Sequence, residues 1–332
     1  MLYYVPLEHI DKRYTIMQDD VTQKVFHIYD IDYEIINGVI LSNELNKKQF
    51  LNPYSTNYFK FSQLQKISEL FNNNIIKNDD IFYFSDLWFP GIESIKYMAY
   101  FKDINIKIYG ILHAGSFTPT DTVNGMSEWA KYFERMLLKL SDGIFLGSEQ
   151  TRQDIIKQYN DITYEELNKL QVTGLAYDSA QVEKYKTTEF DKEDIIIFPH
   201  RLHVEKQLEL FKTLQQHFPK VEFIVTQDLD LSKEEYYKLL ARSKIMFSAS
   251  LQENFGYAVL EACSLNVTPI LPINNTCYKY MYPKSILYNN YEEAVKLIEY
   301  YLHNTIDLTS IPRKYDTAVS KQMEFILKQN GK

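Results

Sequence analysis

Short apolar runs alternate with longer segments that repeat apolar positions at the helical period along most of the chain. The short runs have the length of buried strands, and the longer segments predict helices between them. Strands that alternate with helices are typical of βαβ units, so the pattern predicts an α/β fold with parallel sheets. The predicted strands are 2–5, 33–36, 81–84, 106–112, 144–146, 195–198, 221–226, 244–247, 267–271 and 286–288. The predicted helices are 19–28, 59–71, 93–101, 126–140, 148–159, 233–241, 255–265, 291–302 and 318–327.

The 332-residue chain is long for a single hydrophobic core and suits two domains. Residues 176–194 are polar and irregular, and we place the boundary between the two domains in this segment. We therefore predict an N-terminal domain over 1–185 and a C-terminal domain over 186–305. A linker and a terminal helix follow over 306–332.

The stretch 246–271 reads as a strand, a polar turn, a helix and a second strand. Glu253 lies in the turn, Asn254 is a candidate N-cap, and Glu261 lies eight positions after Glu253. Gly256 allows a ligand to approach the backbone at the start of the helix, where anions bind well. The two glutamates alone are a weak signal, but the whole strand–turn–helix–strand string is specific.

This arrangement suits a sugar that is attached to a diphosphate. Glu253 can accept hydrogen bonds from sugar hydroxyls, and Glu261 can accept both hydroxyls of a ribose. The backbone amides of Phe255, Gly256 and Tyr257 can face the diphosphate. We expect these residues, together with Asn254, to form a donor-binding site.

Two cationic side chains follow the predicted strand 195–198 and complete the same site. Arg201 offers a planar fork to phosphate oxygens, and Lys206 offers a compact point charge. A solvated helix start is the alternative, but cations at a helix N-terminus oppose its dipole, which disfavours that alternative. We predict that Arg201 and Lys206 hold the diphosphate.

Polar side chains also follow three predicted strands of the first half, where open α/β sheets bind ligands. His113 follows the strand 106–112, and a histidine there suits acid–base or charge-stabilising chemistry. The alternative for His113 is a core histidine that is bonded to the backbone. Trp88 either stacks on a sugar or base or fills space in the domain core. The other candidates, for acceptor contacts, are Arg13, Thr15, Asp86, Trp88, Ser116 and Asp121.

Lys131, Arg135 and Lys139 form a basic stripe at i, i+4 and i+8 on the helix 126–140. Trp129, Phe133, Met136, Leu137 and Leu140 are its predicted apolar face. Such a stripe is usually a solvated face, but it is also the clearest local patch for a polyanionic acceptor. We carry Lys131 and Arg135 as acceptor-binding candidates.

Charge and composition exclude several classes of protein. The formal net charge is 36 − 44 = −8, which opposes non-specific binding to nucleic acid. Two cysteines give no disulfide framework or cysteine-based zinc site, and no signal peptide or 18-residue apolar run is present. The triplets at 30–32 and 228–230, Asp-x-Asp in each case, read as acids in turns, so no metal is predicted. We expect a soluble cytoplasmic protein.

The residues Glu253-Asn-Phe-Gly and Glu261-Ala, with Arg201 and Lys206, resemble the signature of retaining GT-B glycosyltransferases of family 4. The resemblance implies two Rossmann-like domains that face a cleft, and a C-terminal helix that returns to the first domain. It implies that Glu253 meets the donor sugar, that Glu261 meets the ribose, and that His113 approaches the sugar. Residues 6–15 depart from the family, because they lack the glycine-rich loop found after the first strand in many relatives.

Segments 4–8, 13–15, 86–93 and 113–117 are similar to glycosyltransferases of tailed bacteriophages. That similarity implies transfer from a nucleotide-sugar, with UDP-glucose the expected type, to a 5-hydroxymethylpyrimidine of double-stranded DNA in the host cytoplasm. No further cofactor is required. The alternatives are a cell-envelope glycan, a lipid or a small molecule as acceptor. A catalytically silent protein that binds a sugar-nucleotide or nucleic acid also stays open.

Overall fold

The computed structural model describes residues 1–10, 13–41, 52–188 and 192–331, and these residues form two compact units. Unit 1 consists of Met1–Ala176 together with Ala318–Lys332, and unit 2 consists of Tyr177–Thr317. The terminal helix therefore belongs to unit 1, as the resemblance implied. The domain bounds at 185 and 305 stay a prediction.

Unit 1 is built on a six-stranded sheet in the order β2-β1-β3-β4-β5-β6, in which every pair of neighbours is parallel. Its central strands read as continuous apolar runs because helices cover both faces of such a sheet. Phe82, Ile108 and Ile144 are fully buried in this way. The strands are β1 (Leu2–Val5), β2 (Tyr33–Ile35), β3 (Ile81–Phe84), β4 (Lys107–Ile111), β5 (Gly143–Leu146) and β6 (Leu170–Val172).

Three helices of unit 1, the second, fifth and sixth, begin at residues whose side chains cap them. The Asn52 side chain accepts from the amides of Tyr54 and Ser55 beside a proline at the first helical position, and Ser148 caps the fifth helix. Gln322 of the terminal helix bonds to Tyr83 and to Thr173, which fastens that helix to unit 1. The helices are α1 (Thr15–Ile28), α2 (Pro53–Asn72), α3 (Ile92–Phe101), α4 (Ser127–Leu140), α5 (Glu149–Gln158), α6 (Tyr164–Lys169) and the terminal α14 (Ala318–Gln329).

Unit 2 has a five-stranded parallel sheet in the order β11-β10-β9-β7-β8. The strands are β7 (Glu193–Phe198), β8 (Glu222–Val225), β9 (Ser243–Phe247), β10 (Thr268–Pro272) and β11 (Leu287–Tyr288). The helices are α7 (Ser179–Glu183), α8 (Leu208–His217), α9 (Lys233–Arg242), α10 (Tyr257–Ser264), α11 (Tyr278–Met281), α12 (Tyr291–Tyr301) and α13 (Ser310–Arg313).

The predicted fold class, two Rossmann-like α/β domains, is confirmed. The pattern missed β6, α6, α7, α8 and α13, which are short or lie in polar sequence. The pattern also predicted no helix over 278–282, where α11 covers the first four residues. The N-cap prediction for Asn254 is wrong. The helix α10 begins at Tyr257, and Gly256 is its N-cap in the left-handed region at φ 79°.

Each sheet has one place where the connections from two neighbouring strands run to opposite sides of the sheet. In unit 1 the chain leaves β1 for the edge strand β2, whereas β3 lies on the other side of β1. In unit 2 it leaves β7 for β8, whereas β9 lies on the other side of β7. The loops that leave such strand pairs diverge and open a crevice at the carboxyl edge of the sheet, where α/β proteins bind ligands.

No helix within the described residues is long and apolar enough to cross a membrane.

Candidate active site

The loops that leave β7 and β9 meet at the crevice of unit 2. Lys206 ends the 3-10 turn Val204–Lys206, and its Nζ lies 3.0 Å from Oε2 of Glu253 in the loop after β9. The lysine is 7% exposed. Because β7 and β9 are neighbours in the sheet, two side chains that are 47 residues apart come into direct contact. The sequence predicted that these two side chains would share one site.

Glu205 orients the second cation of this cluster. The Arg201 guanidinium donates to Glu205 Oε1, and Lys206 Nζ lies 3.6 Å from the same oxygen. The backbone carbonyl of Glu205 accepts from the amide of Leu251 at 2.8 Å, which ties the two loops together. Glu205 is 5% exposed and was not singled out from the sequence, although its position four residues after Arg201 is a signal for such a pair.

The charges around Glu253 keep its carboxyl ionised. Burial raises the pKa of Glu253, but the charge and the hydrogen bond of Lys206, with a smaller contribution from Arg201, outweigh burial and leave the pKa below its ordinary value. Burial, and to a smaller extent the charge of Lys206, lowers the pKa of His200 to about 3. The cluster at neutral pH is therefore two cations, two carboxylates and one neutral imidazole. Sequence reasoning assigned no role to His200.

Gly256 is required by the geometry of the turn before α10. Its φ of 79° is strained for residues with a side chain, and an added Cβ would lie 2.9 Å from the ring of Tyr278. Phe255 packs against Tyr257 and Tyr315, with ring centroids 5.0 Å apart in both cases. The Asn254 side chain accepts from Gln252. The donor-binding role of these backbone amides stays a prediction.

Glu261 lies on α10 with its carboxylate already surrounded by donors. Lys233 Nζ lies 2.6 Å from Oε1, and the hydroxyls of Tyr236 and Tyr237 donate from 2.9 and 3.1 Å. All three donors come from one face of α9 at i, i+3 and i+4, a spacing that the sequence displays. Glu261 thus accepts two hydroxyls from the protein itself. Its contact with a ribose stays a prediction.

His113 follows β4 in unit 1, and its ring is fixed against the neighbouring loop. Nε2 lies 2.8 Å from the carbonyl oxygen of Ser85, which can only accept, so Nε2 carries the proton. Loss of solvation lowers the pKa of His113, although Asp86 opposes that shift. The imidazole is therefore neutral at neutral pH. A neutral ring can still donate or accept a hydrogen bond, and the expected acid–base or charge-stabilising role of His113 stays a prediction.

Asp86 after β3 is held by a lysine that the sequence did not single out. Lys60 Nζ lies 2.7 Å from Asp86 Oδ2 and also donates to the carbonyl oxygen of Trp88 at 2.7 Å. The other oxygen, Oδ1, accepts from the Trp88 amide at 3.1 Å. A lysine in an amphipathic helix such as α2 looks solvated in sequence, yet Lys60 is 7% exposed. Its burial depends on long-range contacts alone.

The remaining acceptor candidates of unit 1 make structural contacts. Trp88 Nε1 and the backbone amide of Ser116 both donate to Glu134, and Asp121 caps the 3-10 turn Thr122–Met126. Thr15 Oγ1 accepts from the amide of Ile10 at 3.1 Å. Arg13, also an acceptor candidate, lies half-buried two residues earlier. Roles in acceptor binding stay predictions for all of them.

The basic stripe on α4 is not a continuous exposed patch. Arg135 lies 2.6 Å from Glu166, so its charge is neutralised within the unit. Lys131 and Lys139 are exposed. The predicted apolar face is also wrong in part, because Trp129 is 52% exposed.

Within the described ranges, no group of three or more His, Cys, Asp or Glu side chains is arranged to hold a metal ion. Cys263 and Cys277 are buried free thiols. Asp30 follows α1 in the left-handed region at φ 50°, and Asp228 ends a 3-10 turn.

Comparison with known proteins identifies the fold. An α,α-trehalose-phosphate synthase from Burkholderia vietnamiensis superposes with a TM-score of 0.64 at 10% identity, covering 100% of this chain and 98% of that one. A sucrose-phosphate synthase from Thermosynechococcus elongatus gives 0.62 at 9% identity, with 99% and 98% covered. A lipopolysaccharide outer core galactosyltransferase gives 0.52 at 12% identity, with 97% and 99% covered. The chain has the GT-B fold.

Sequence comparison reaches a much smaller part of the chain. No family model matches. A tRNA-queuosine α-mannosyltransferase from Drosophila melanogaster is 41% identical over 66 residues, which are 20% of this chain and 17% of that protein.

Proposed function

We propose that this protein is a retaining glycosyltransferase that moves a sugar from a nucleotide-sugar to a hydroxyl acceptor. The observation that carries the proposal is the meeting of Lys206 and Glu253, 3.0 Å apart, at the carboxyl edge of the second sheet. Arg201 joins them through Glu205. Two cations beside an ionised carboxylate suit a diphosphate that is linked to a polyhydroxylated ring.

The two cations would serve the departing diphosphate. Each charge-assisted hydrogen bond from Arg201 or Lys206 to a phosphate oxygen contributes about 1.5–3 kcal/mol. The charge on the diphosphate grows as the bond to the sugar breaks, so these contacts are stronger in the transition state than in the bound donor. Both cations face carboxylates, which keep them oriented for phosphate oxygens to replace or join those carboxylates.

Glu253 would position the sugar rather than attack it. An ionised carboxylate is purely an acceptor, and the low pKa of Glu253 keeps it in that form. In the proposed reaction the acceptor oxygen bonds to the anomeric carbon from the face that the diphosphate leaves. The bond to the diphosphate breaks, and the leaving phosphate takes the proton of the acceptor hydroxyl. The configuration at the anomeric carbon is retained.

Glu261 would accept the two hydroxyls of the donor ribose. It already accepts two hydroxyls, from Tyr236 and Tyr237, so a ribose diol would replace one set of hydroxyl donors by another. Lys233, which is half exposed, can move with little loss. We propose a UDP-hexose as the donor, with no metal or further cofactor. We propose that His113 contacts the donor sugar.

The acceptor is proposed separately, because the donor residues do not specify it. Our first candidate is a 5-hydroxymethylpyrimidine in double-stranded DNA, supported by the similarity of the N-terminal segments to bacteriophage glycosyltransferases. A modified nucleoside in tRNA is a second candidate, supported by the 66 residues that match a tRNA-queuosine α-mannosyltransferase. The net charge of −8 weighs against both and in favour of a glycan, a lipid or a small molecule.

One assay tests both levels of the proposal. The protein is incubated with labelled UDP-glucose or a mannose nucleotide, and with hydroxymethylated DNA, unmodified DNA, tRNA or glycans. We expect nucleoside diphosphate to be released in step with label transfer, and proton NMR of the product to show the anomeric configuration of the donor. Donor binding by calorimetry without release in any arm would mean a binding protein. Neither binding nor release would overturn the proposal, and an inverted product would overturn the retaining mechanism.

A further inference from the structure

A buried carboxylate in unit 1 joins the loops that leave β3 and β4. Glu134 lies on α4 and is 1% exposed. It accepts from the Ser116 amide at 2.6 Å, from Ser116 Oγ at 2.7 Å, from Trp88 Nε1 at 3.1 Å and from the Tyr159 hydroxyl at 2.8 Å. All four donors are neutral groups. Four hydrogen bonds account for the acceptor capacity of a carboxylate, so Glu134 is fully satisfied.

The two oxygens of Glu134 receive different kinds of donor. Oε1 accepts two N–H groups, from the Ser116 backbone and the Trp88 indole, and neither group can act as an acceptor. Oε2 accepts two hydroxyls, from Ser116 and Tyr159, and a hydroxyl can donate or accept. A glutamine with its carbonyl at the Oε1 position could therefore keep both N–H contacts and donate its own N–H groups to the two hydroxyls, whereas an apolar side chain could make none of these bonds.

Gly115 shows how closely the loop approaches this carboxylate. An added Cβ would lie 2.6 Å from Glu134 Oε1, and it would also meet the ring of Phe117. A backbone that passes so near a buried acceptor leaves room for glycine alone. The loop after β4 is thus shaped around Glu134.

The same two loops are joined a second time at the candidate site. The His113 ring bonds to the carbonyl of Ser85, three residues before Trp88, and His113 itself lies three residues before Ser116. The Glu134 contacts and the His113 contact therefore fix the same pair of loops at two points. A shift of Ser116 and Trp88 relative to each other would move the imidazole.

We infer that Glu134 is a positioning residue for glycosyl transfer. It fixes the loops after β3 and β4 and thereby sets the position of His113. It does so through the geometry of its hydrogen bonds and not through its charge. The inference rests on the proposed function, because it takes His113 as a group that contacts the reacting sugar. It adds a residue that lies outside every sequence motif noted above.

Two substitutions separate geometry from charge. Glu134→Met removes all four acceptor contacts at similar side-chain length, and we expect kcat to fall on the order of 10²-fold, the effect of a misplacement of about 1 Å. Glu134→Gln removes the charge but keeps the acceptor for both N–H groups, and we expect kcat within about threefold of wild type. Donor KM should stay within about twofold for both, because the proposed contacts to the diphosphate and the ribose lie in unit 2.

Tryptophan fluorescence reports the loop geometry independently of activity. The chain has two tryptophans, so Trp129→Phe leaves Trp88 as the single reporter. In that background Glu134→Met should shift the Trp88 emission to longer wavelength as the indole N–H turns to water, while Glu134→Gln leaves it unchanged. Asp80→Leu is the matched control, because Asp80 is a buried carboxylate at the opposite end of β3 that accepts from the Lys77 amide at 2.7 Å. We expect it to lower stability and to leave both kcat and Trp88 emission near wild type.

Several outcomes of these experiments would overturn the inference. Equal losses of kcat in the Gln and Met variants would indicate a role for charge and overturn the inference. A folded Met variant with normal kcat would overturn it as well. If the Met variant does not fold, Gly115→Ala takes its place, and normal kcat with unshifted emission in that variant would overturn the inference. If the wild type transfers no sugar, the proposed function fails. Unshifted Trp88 emission in the Met variant would then still show that Glu134 does not fix the loops after β3 and β4.

Discussion

Both sheets of this protein carry polar side chains in the loops at their carboxyl edges, but the two sets of buried polar groups are stabilised by different kinds of partner. In unit 2 the carboxylates of Glu253 and Glu261 face the ammonium groups of Lys206 and Lys233. In unit 1 the neutral ring of His113 rests on a backbone carbonyl and Glu134 is held by neutral donors. An ion pair at this edge, Lys60 with Asp86, also bonds to the backbone of Trp88 and so fixes the loop. The first arrangement is made of charges that a ligand can exchange, and the second of hydrogen bonds that fix a shape.

This difference matches two tasks in the proposed reaction. A diphosphate carries charge and gains more as it leaves, so it benefits from oriented cations whose carboxylate partners it can replace. A neutral acceptor hydroxyl and a sugar ring need placement more than charge. We therefore expect substitutions in unit 2 to respond to charge, and those in unit 1 to respond to geometry.

The largest effect should follow from loss of Lys206. We expect Lys206→Ala to lower kcat on the order of 10²-fold, because the ammonium lies 3.0 Å from Glu253 in a buried site and would stabilise the leaving diphosphate. Steady-state release of nucleoside diphosphate measures this effect. Lys212→Ala, an exposed lysine paired with Glu209 on α8, is the matched control and should turn over normally. Near-normal kcat in the Lys206 variant would argue against the diphosphate site.

The buried imidazole of His200 should make the protein less stable in acid. Its pKa is about 3 in the folded protein and near 6.5 when unfolded, so the unfolded chain takes up a proton that the folded chain excludes. Stability is thus lost as the pH falls from 6.5 toward 3, and the loss reaches about 2 kcal/mol by pH 5. His200→Gln should remove this part of the pH dependence.

Urea unfolding of wild type and His200→Gln at pH 7 and pH 5 gives the test, since few carboxylates titrate in that window. The groups that act on His200 are the cations Lys206 and Arg201 and the carboxylate Glu253, and all of them are retained in the variant. Equal changes in the free energy of unfolding for both proteins would contradict a neutral buried His200.

A smaller effect should follow from the proposed ribose contact. We expect Glu261→Gln to raise the donor dissociation constant about tenfold, the worth of one charge-assisted hydrogen bond, with kcat little changed. Calorimetric titration with the donor measures it. Tyr236→Phe removes one of the competing hydroxyls and should not weaken donor binding. Unchanged affinity in the Gln variant would remove Glu261 from the donor site.

The parts that sequence reasoning predicted share a physical cause. Arg201, Lys206 and Glu253 directly follow buried parallel strands, and the carboxyl ends of such strands meet at one edge, so chain position alone predicts their proximity. The strands β3 and β9 could also be predicted, because helices cover both faces of the sheet and such strands are continuous apolar runs. The α/β class followed from the alternation of strands and helices, and the GT-B fold followed from the resemblance of the Glu253 and Glu261 stretch to that family.

The parts that it missed depend on contacts between distant segments. Lys60 and Glu134 look like solvated helix positions, but partners 26 and 18 residues away bury them. On α4 the hydrophobic pattern placed Trp129 inward, whereas Glu134 occupies the buried face because Ser116, Trp88 and Tyr159 satisfy it. β6 has three residues at the edge of its sheet, too few for a periodic signal.

The smallest expected effect tests whether unit 1 binds its acceptor through surface charge. Lys131 and Lys139 are the exposed members of the basic stripe, and Arg135 between them is neutralised by Glu166. With a net charge of −8 behind them, we expect Lys131→Ala with Lys139→Ala to change KM for a nucleic-acid acceptor by less than about twofold and stability by less than about 0.5 kcal/mol. KM measured across a range of salt concentrations checks this, because each lost phosphate contact reduces the slope of log affinity against log salt by about 0.9. A slope reduced by nearly two, with a KM raised more than tenfold at low salt, would mean that unit 1 also works through charge and that the contrast between the two edges is wrong.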